Sequence, residues 1–326
     1  MRTSVTVAIP TLDAGDGLRE TLRAVRAQRL GDGREPELLI CDSGSRDETI
    51  AIAREHGARV IEIPRTEFSH GGTRNLLMAQ ARGEHVAFLT QDAVPAASDW
   101  LAQLLAGYSH APNVGLVFGP YQPRADASAS VARELHDWFA SLSRDGAPRI
   151  DVLDDEQRGS LAARDFLGPR GYFTDANGCV SRSAWERVPF REVAYAEDHL
   201  LAQDMLRAGF AKLYLPKAAV VHSHEYSSWG WLRRSFDEAR AIREIYGEVP
   251  SGDVRSAARA VWGNVGADLR WLRSRPPASR LSPAPALAGS LVHHAARAAG
   301  TLLGTAAGAE RLPTPLVARL SLEGRR

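Results

Sequence analysis

Cysteine is scarce in this chain: Cys41 and Cys179 are the only two among 326 residues, and they do not form a CxxC pair. Both lie in strand-like apolar segments. They read as small core residues of a reduced, cytosolic protein, or at most as one disulfide, and not as a disulfide framework. Long apolar runs are also missing, since no window approaches the ~18 apolar residues that cross a bilayer. The N-terminal MRTSVTVAIP lacks the charged-then-apolar pattern of a signal peptide and enters a strand directly, so a cytoplasmic protein is expected. Nor is there an excess of one charge. With 40 basic residues, largely Arg, against 39 acidic ones, the formal net charge is +1, which gives no electrostatic footprint for nucleic acid. Finally, the first strand-to-helix turn, PTLDAGDG, contains no GxGxxG, which argues against a dinucleotide-binding fold of the usual kind.

The remaining composition is ordinary for a soluble globular protein, 44% hydrophobic and 24% charged. Its length suits one large domain with an appendage, or two small ones. Strand and helix patterns alternate from the start. Ser4 to Ile9 is rich in Val and Ile, and Asp16 can cap a helix from Gly17 to Gln28 with Leu18, Leu22 and Val25 at helical spacing. Glu37 to Ile40 is the second strand, followed by an Asp47-capped helix that stops at Gly57. Arg59 to Ile63 is the third strand, a helix runs from about Thr73 to Ala81, and Glu84 to Pro95 holds the fourth strand. Four such repeats predict an α/β fold with a parallel, doubly wound sheet. Further strands are expected at Val114 to Phe118, Leu213 to Leu215 and Ala218 to Val221, with a polar helical stretch at Ala125 to Ser160. Ser228 to Tyr246, Val254 to Leu272 and Ala286 to Leu303 read as helices, with Pro276, Pro277, Pro283 and Pro285 as breaks. The last helices form either a cap on the α/β domain or an in-plane attachment to an anionic membrane.

Carboxylates stand where these strands end. The fourth strand, Val86 to Leu89, stops on Thr90, Gln91 and Asp92. Ligands of open parallel sheets sit at the carboxyl ends of strands, and a carboxylate there can hold a cation against a phosphate or simply cap a turn. Asp13 and Asp42 end the first two strands, where a carboxylate can accept from a sugar hydroxyl or a pyrimidine N–H. Glu197 and Asp198 open a helix, a position the helix dipole favours whatever their role. His222 and His224 lie two apart at a strand end and so point the same way.

Taken in order, VAIPTLD, CDSGSRDET, GGTRN, FLTQDA, FTDANGCVSR, AEDHLLAQDMLRAG and VVHSH resemble a family 2 nucleotide-sugar glycosyltransferase of the GT-A fold. The match extends over about residues 4 to 240. The FSHGGTRN loop with a TQDA-type metal motif resembles the bacterial rhamnosyltransferases in particular. The resemblance implies a Rossmann-like, mostly parallel central sheet flanked by helices. The catalytic domain would span 1–248, with a nucleotide-binding half over about 1–120 and an acceptor half over about 121–248, and 249–326 would be a helical extension. It further implies inverting transfer of a sugar, L-rhamnose from a dTDP donor or a hexose from UDP, to a saccharide or lipid-linked acceptor. Mn2+ or Mg2+ would lie on the diphosphate, and the inner membrane surface would be a possible partner in cell-surface polysaccharide synthesis.

By the same resemblance Asp13 and Asp42 contact the nucleoside, and Arg74 lies near the base or diphosphate. Pro10, Thr11, Ser43, Gly71 and Gln91 line the donor side. Asp92 binds the metal, completed by His224 or else His222, and Asp198 is the general base on the acceptor hydroxyl. Asn177, Gly178 and Glu197 fall on the acceptor side, and Phe68 and His70 near the sugar. Tyr172, Phe173 and Trp229 either line the acceptor groove or pack in the core. The sequence departs from the family at Thr90, which replaces the first acid of the DxD motif. A metal held by one carboxylate relies more on imidazole, which favours Mn2+ over Mg2+. A non-catalytic nucleotide-sugar-binding protein and a nucleotidyltransferase are the competing readings; the acidic pair at 197–198 and the absence of Lys from the first turn argue against them.

Overall fold

The computed structural model describes residues 5–31, 33–143, 145–247, 253–274 and 283–322. In chain order the first part runs β1 (Val5–Thr11), α1 (Gly17–Arg26), β2 (Glu37–Asp42), α2 (Thr49–Glu55), β3 (Arg59–Glu62), α3 (His70–Gln80) and β4 (His85–Leu89). It continues through β5 (Val94–Pro95), α4 (Trp100–Ala106), β6 (Val114–Phe118), β7 (Tyr121–Gln122), α5 (Ala129–Ser141), β8 (Arg149–Asp151) and α6 (Asp155–Ser160). Then come β9 (Asn177–Ser181), α7 (Arg182–Trp185), α8 (Glu197–Arg207), β10 (Ala211–Tyr214) and β11 (Val220–Val221), followed by α9 (Ser228–Tyr246), α10 (Val254–Ser274), α11 (Pro283–Ala307) and α12 (Thr314–Leu320).

An 8-stranded sheet has the order β3-β2-β1-β4-β9-β6-β10-β8. The first four strands in that order are parallel, as the alternating pattern predicts. β9 and β8 run antiparallel to their neighbours, so the sheet is mixed. Its central strands are apolar on both faces: every residue of β6 is buried, as are Val86 to Leu89 of β4. That is the pattern of strands covered by helices on each side. Leu18, Leu22 and Val25 of α1 and Trp100, Leu101 and Leu104 of α4 supply the covering apolar faces. Cys41 and Cys179 are both buried free thiols in this core.

A second sheet, β5-β11-β7, determines where the functional groups meet. β11 is antiparallel to β5, with Val220 opposite Pro95 and Val221 opposite Val94. Continued by one residue, that register brings His222 beside Ala93 and therefore next to Asp92.

Contacts divide the chain into two units, Met1–Arg124 with Trp138–His222, and Ala125–Asp137 with Ser223–Arg326. The boundary expected at 248/249 lies outside the described residues, as do the expected breaks at Pro276 and Pro277. The observed division comes earlier in the chain, because α9 packs along α11. Gly300 and Gly304 of α11 make this close approach possible, since a Cβ at either would run into the backbone carbonyls of Leu232 and Phe236 on α9. Among the described residues no helix is long and apolar enough to cross a membrane.

Candidate functional site

The loops after β1 and β2 are knitted together by Asp42. Its carboxylate is fully buried and accepts from Thr11 Oγ1 (2.9 Å), Gly44 N (3.0 Å), Ser45 N (2.8 Å) and Ser45 Oγ (2.6 Å). The expected nucleoside contact therefore competes with four internal donors, and what Asp42 visibly does is shape the loop. Ser43 is likewise buried and donates to Thr11 O at 2.9 Å. Asp13 is exposed and left-handed (φ 45°), with its carboxylate accepting from Arg46 N (2.8 Å) and its own N–H donating to Ser45 Oγ (2.8 Å). Pro10 is half-buried in β1, beside Thr11. Gln91 closes the same edge from β4: its amide accepts from Leu12 N (2.9 Å) and donates to Leu12 O (3.2 Å). The strand ends form one braced rim.

Asp92 is next on that rim, about one-third exposed, and its Oδ1 lies 3.5 Å from Nδ1 of buried His222. Arg124 donates to the Asp92 carbonyl at 2.8 Å, which fixes the backbone at this point. Two donors on one transition-metal ion, each at ~2.0–2.2 Å, stand roughly 3.0–3.5 Å apart, so this pair suits a shared divalent cation. Within this unit His222 is the histidine beside Asp92, placed there by the β5/β11 register, and His224, which the resemblance put first, belongs to the second unit.

Arg74 was expected near the base or diphosphate. It is instead buried in an ion cluster, bonded to Asp175 and 3.1 Å from Glu197, and it donates to the His70 carbonyl at 3.0 Å. Glu197, expected on the acceptor side, is only 5% exposed and serves as this guanidinium's partner. His70 Nδ1 stands 3.8 Å from the same carboxylate, and the Phe68 ring lies edge-on to His70 at 5.1 Å. Gly71 lies against the Arg191 backbone, whose carbonyl a Cβ there would strike.

Asp198 follows Glu197 at the N-terminus of α8. Ala196 before them is left-handed (φ 61°), a conformation that costs an L-residue about 1–2 kcal/mol. Burial, reinforced by the Asp175 charge and only partly offset by Arg74, pushes the Asp198 carboxyl up to about 7. It accepts from His199 N at 2.8 Å. Burial likewise raises Asp175 and Glu197. Three carboxyls around one guanidinium retain a proton near neutrality because their charges cannot all be compensated.

Asn177 and Gly178, expected to meet the acceptor, belong to the core. Asn177 is fully buried, accepts from Trp100 Nε1 (2.8 Å) and donates to Ala218 O (2.8 Å) and Pro120 O (3.1 Å). What approaches Gly178 closely is the chain itself, at the Thr174 carbonyl and the Phe173 ring. Tyr172 is half-buried among Trp138, Phe118 and His199, whereas Phe173 is fully buried. Trp229 is 53% exposed on α9 in the second unit.

Two groups went unnoticed in the sequence. Asp175 carries Arg74, and its signal was an acid inside the small-residue FTDANG run. Tyr121 bonds Thr174 through its hydroxyl and lays its ring 4.9 Å from that of His222. It thereby connects the segment that carries Asp175 to the Asp92–His222 pair.

The sequence profile of Glycosyl transferase family 2 matches residues 6–165. O-antigen chain rhamnosyltransferase RfbN of Salmonella typhimurium is 31% identical over 242 residues, spanning 72% of this chain and 70% of that protein. The chain belongs to glycosyltransferase family 2. O-antigen chain rhamnosyltransferase WbaN of Salmonella anatum is 32% identical over 241 residues, with the same shares of 72% and 70%. Among solved structures, mannosyltransferase PcManGT from Pyrobaculum calidifontis, in complex with GDP-Man and Mn2+, superposes with a TM-score of 0.56 at 20% identity. That superposition covers 95% of this chain and 86% of the other, and it identifies the fold as GT-A. As a glycosyltransferase, this chain has its strand-end rim, the Asp92–His222 pair and Asp198 in one unit.

Proposed function

We propose that this glycosyltransferase moves L-rhamnose from dTDP-L-rhamnose to a saccharide or lipid-linked saccharide acceptor, at the cytoplasmic face of a membrane and in the building of a cell-surface polysaccharide. The two relatives named as O-antigen rhamnosyltransferases support the sugar and the setting. The chemistry rests on one observation: the first unit holds both a cation-suited pair, Asp92 with His222, and a carboxyl tuned to about 7 at Asp198.

Asp92 and His222 would hold a divalent cation, Mn2+ in preference to Mg2+ because of the imidazole, and that ion would supply charge stabilisation to the departing diphosphate. The braced loops at Asp13, Asp42 and Ser43 seat the nucleoside without having to order on binding. Asp198 takes the proton from the acceptor hydroxyl as that oxygen bonds to the anomeric carbon. The bond from this carbon to the diphosphate oxygen breaks, and its electron pair leaves with the nucleotide. A single displacement inverts the anomeric centre. A positioned base of this kind contributes typically ~10²–10⁴-fold. Arg74, Asp175 and Glu197 act behind it, fixing the base and its charge.

Thermal unfolding with a panel of nucleotides and sugar nucleotides, with and without Mn2+, tests the donor. At 100 times the dissociation constant a ligand adds about 2.7 kcal/mol. A Mn2+-dependent shift with dTDP and dTDP-L-rhamnose is expected. Preference for UDP compounds would move the donor to a UDP-sugar on the same site, and no shift with any nucleotide would overturn the reading.

A further inference from the structure

The second unit contains a buried polar cluster that the transferase chemistry does not use. α5 contributes Ser130, Arg133 and Glu134, α10 contributes Asp268, and α11 contributes Ser290, His293, His294 and Arg297. We propose that Glu134, His293 and His294 form a second divalent-cation site, of the N/O-ligand class that takes zinc, fastening α5 to α11.

The argument starts from Asp268, which is 1% exposed. It accepts from Ser130 Oγ (2.5 Å), Ser290 Oγ (2.7 Å) and the Arg133 guanidinium, and His294 Nε2 lies 2.8 Å away. Burial alone would raise this carboxyl, but the His294, Ser130, Arg133 and Ser290 bonds hold it well below the usual range. The other ring nitrogen of His294, Nδ1, faces Glu134 Oε1 at 3.5 Å. Arg297 bonds the second oxygen of Glu134 and leaves Oε1 turned towards His294. Carboxylate and imidazole thus face each other across a gap that a positive centre would fill.

The geometry points to a metal ion. His293 Nε2 lies 3.2 Å from the other oxygen of Glu134, and one donor atom from each of the three residues falls within 4.8 Å of the others. Ligands on one zinc ion stand about 3.3 Å apart, so a small closure completes the set. A histidine ligand backed by a carboxylate on its other nitrogen is the usual support of such a site, and Asp268 behind His294 provides it. Both imidazoles are nine-tenths buried or more, at 7% and 4% exposure. Trp231 covers His293, with its ring 4.6 Å away, and Arg297 stacks over the same indole. Charge also favours a cation. Glu134, Asp268 and Asp137, the last 2.9 Å from Arg133, stand against only Arg133 and Arg297, which leaves one negative charge before the histidines are counted.

Cobalt(II) is the probe, because its visible bands report N/O coordination apart from any activity. The Asp92→Asn protein is titrated, so that the first candidate site does not contribute. One equivalent of bound Co2+ with coordination bands, displaced by Zn2+, and a raised melting temperature are expected. His293→Gln and His294→Gln should each abolish the bands. Asp268→Asn should weaken binding by about 10–100-fold, the effect of losing a carboxylate behind a ligand. His293→Gln leaves the Asp268 bonds in place, so it tests the site even if the His294 variant fails to fold. The proposal is overturned if no stoichiometric Co2+ binds, or if binding survives both histidine changes. It is also overturned if stability follows pH through the histidine range while ignoring metal, since the positive centre is then a proton.

Discussion

On the proposed reading Asp198 is a base at neutral pH although two other acids surround it, and its neighbours set how that is managed. Burial and the Asp175 charge raise its carboxyl from the ordinary 3.8 to about 7. Only the ionised form can accept the acceptor's proton, so transfer should rise with pH through about 7. The stability consequence has the opposite sign. A carboxyl whose pKa is raised on folding contributes stability that is complete below about 4 and is lost as pH climbs through about 7. Asp198→Asn should therefore reduce transfer by roughly 10²–10⁴-fold with little change in nucleotide affinity, and should flatten the decline in stability between about pH 4 and 7. Rate assays paired with denaturant melts at several pH values check both. Substantial residual transfer would remove Asp198 from the role of base. At this scale the acids at the strand ends were legible from residue type and position alone. The partner of Arg74 was not, because nothing in the GGTRN segment reveals that Asp175, about a hundred residues later, returns beneath it. Asn177 misled for a related reason: a polar residue in a small-residue strand signals close approach, and only the fold shows that Trp100 and two carbonyls are what approach it.

Elements with a strong local period were read well, and those defined by long-range pairing were not. β1 to β4 and α9 fall where the apolar pattern places them, since burial on both faces or on one stripe is written into neighbouring residues. β8, within a stretch read as helical, is a strand only because it pairs with β10, through Ile150 opposite Leu213. The reversed direction of β9 is likewise set by β4 and β6 on either side and leaves no mark in its own composition. The packing of α11 on α9 is another property of pairs. Gly304 sits where a Cβ would strike the Phe236 carbonyl, whereas Gly289, exposed on the same helix, has open space around it. Gly304→Ala should cost about 1–3 kcal/mol through overpacking, and Gly289→Ala should stabilise by about 0.5–1 kcal/mol through helix propensity. Opposite shifts in melting temperature from one chemical change would locate the close approach. Equal shifts would show that α9 and α11 are not packed this tightly.

For the whole molecule, the proposed setting at a lipid surface has to be squared with almost no net charge. The net +1 arises from near cancellation over the full length and hides a local asymmetry. On α10, Arg255, Arg259, Arg270 and Arg273 are exposed, while the helix's one acid, Asp268, is turned inward. Trp262, 62% exposed, and Val254, 73% exposed, share that helix with them. An aromatic among arginines on a surface helix suits the interface of an anionic bilayer, where each basic side chain contributes about 1 kcal/mol. Such attachment would keep a lipid-linked acceptor within reach without a membrane-crossing helix among the described residues. Co-sedimentation with vesicles should accordingly show binding to anionic but not to neutral lipid, weakening as salt shortens the Debye length below ~10 Å. Arg255→Gln with Arg259→Gln should lower the partition by roughly 30-fold, two charges at about 1 kcal/mol each, and leave the thermal shift with dTDP unchanged. Binding that ignores salt, or that is the same on neutral vesicles, would remove the arginines from the attachment, and no binding to any vesicle would assign the exposed Trp262 to a protein contact instead of a lipid one.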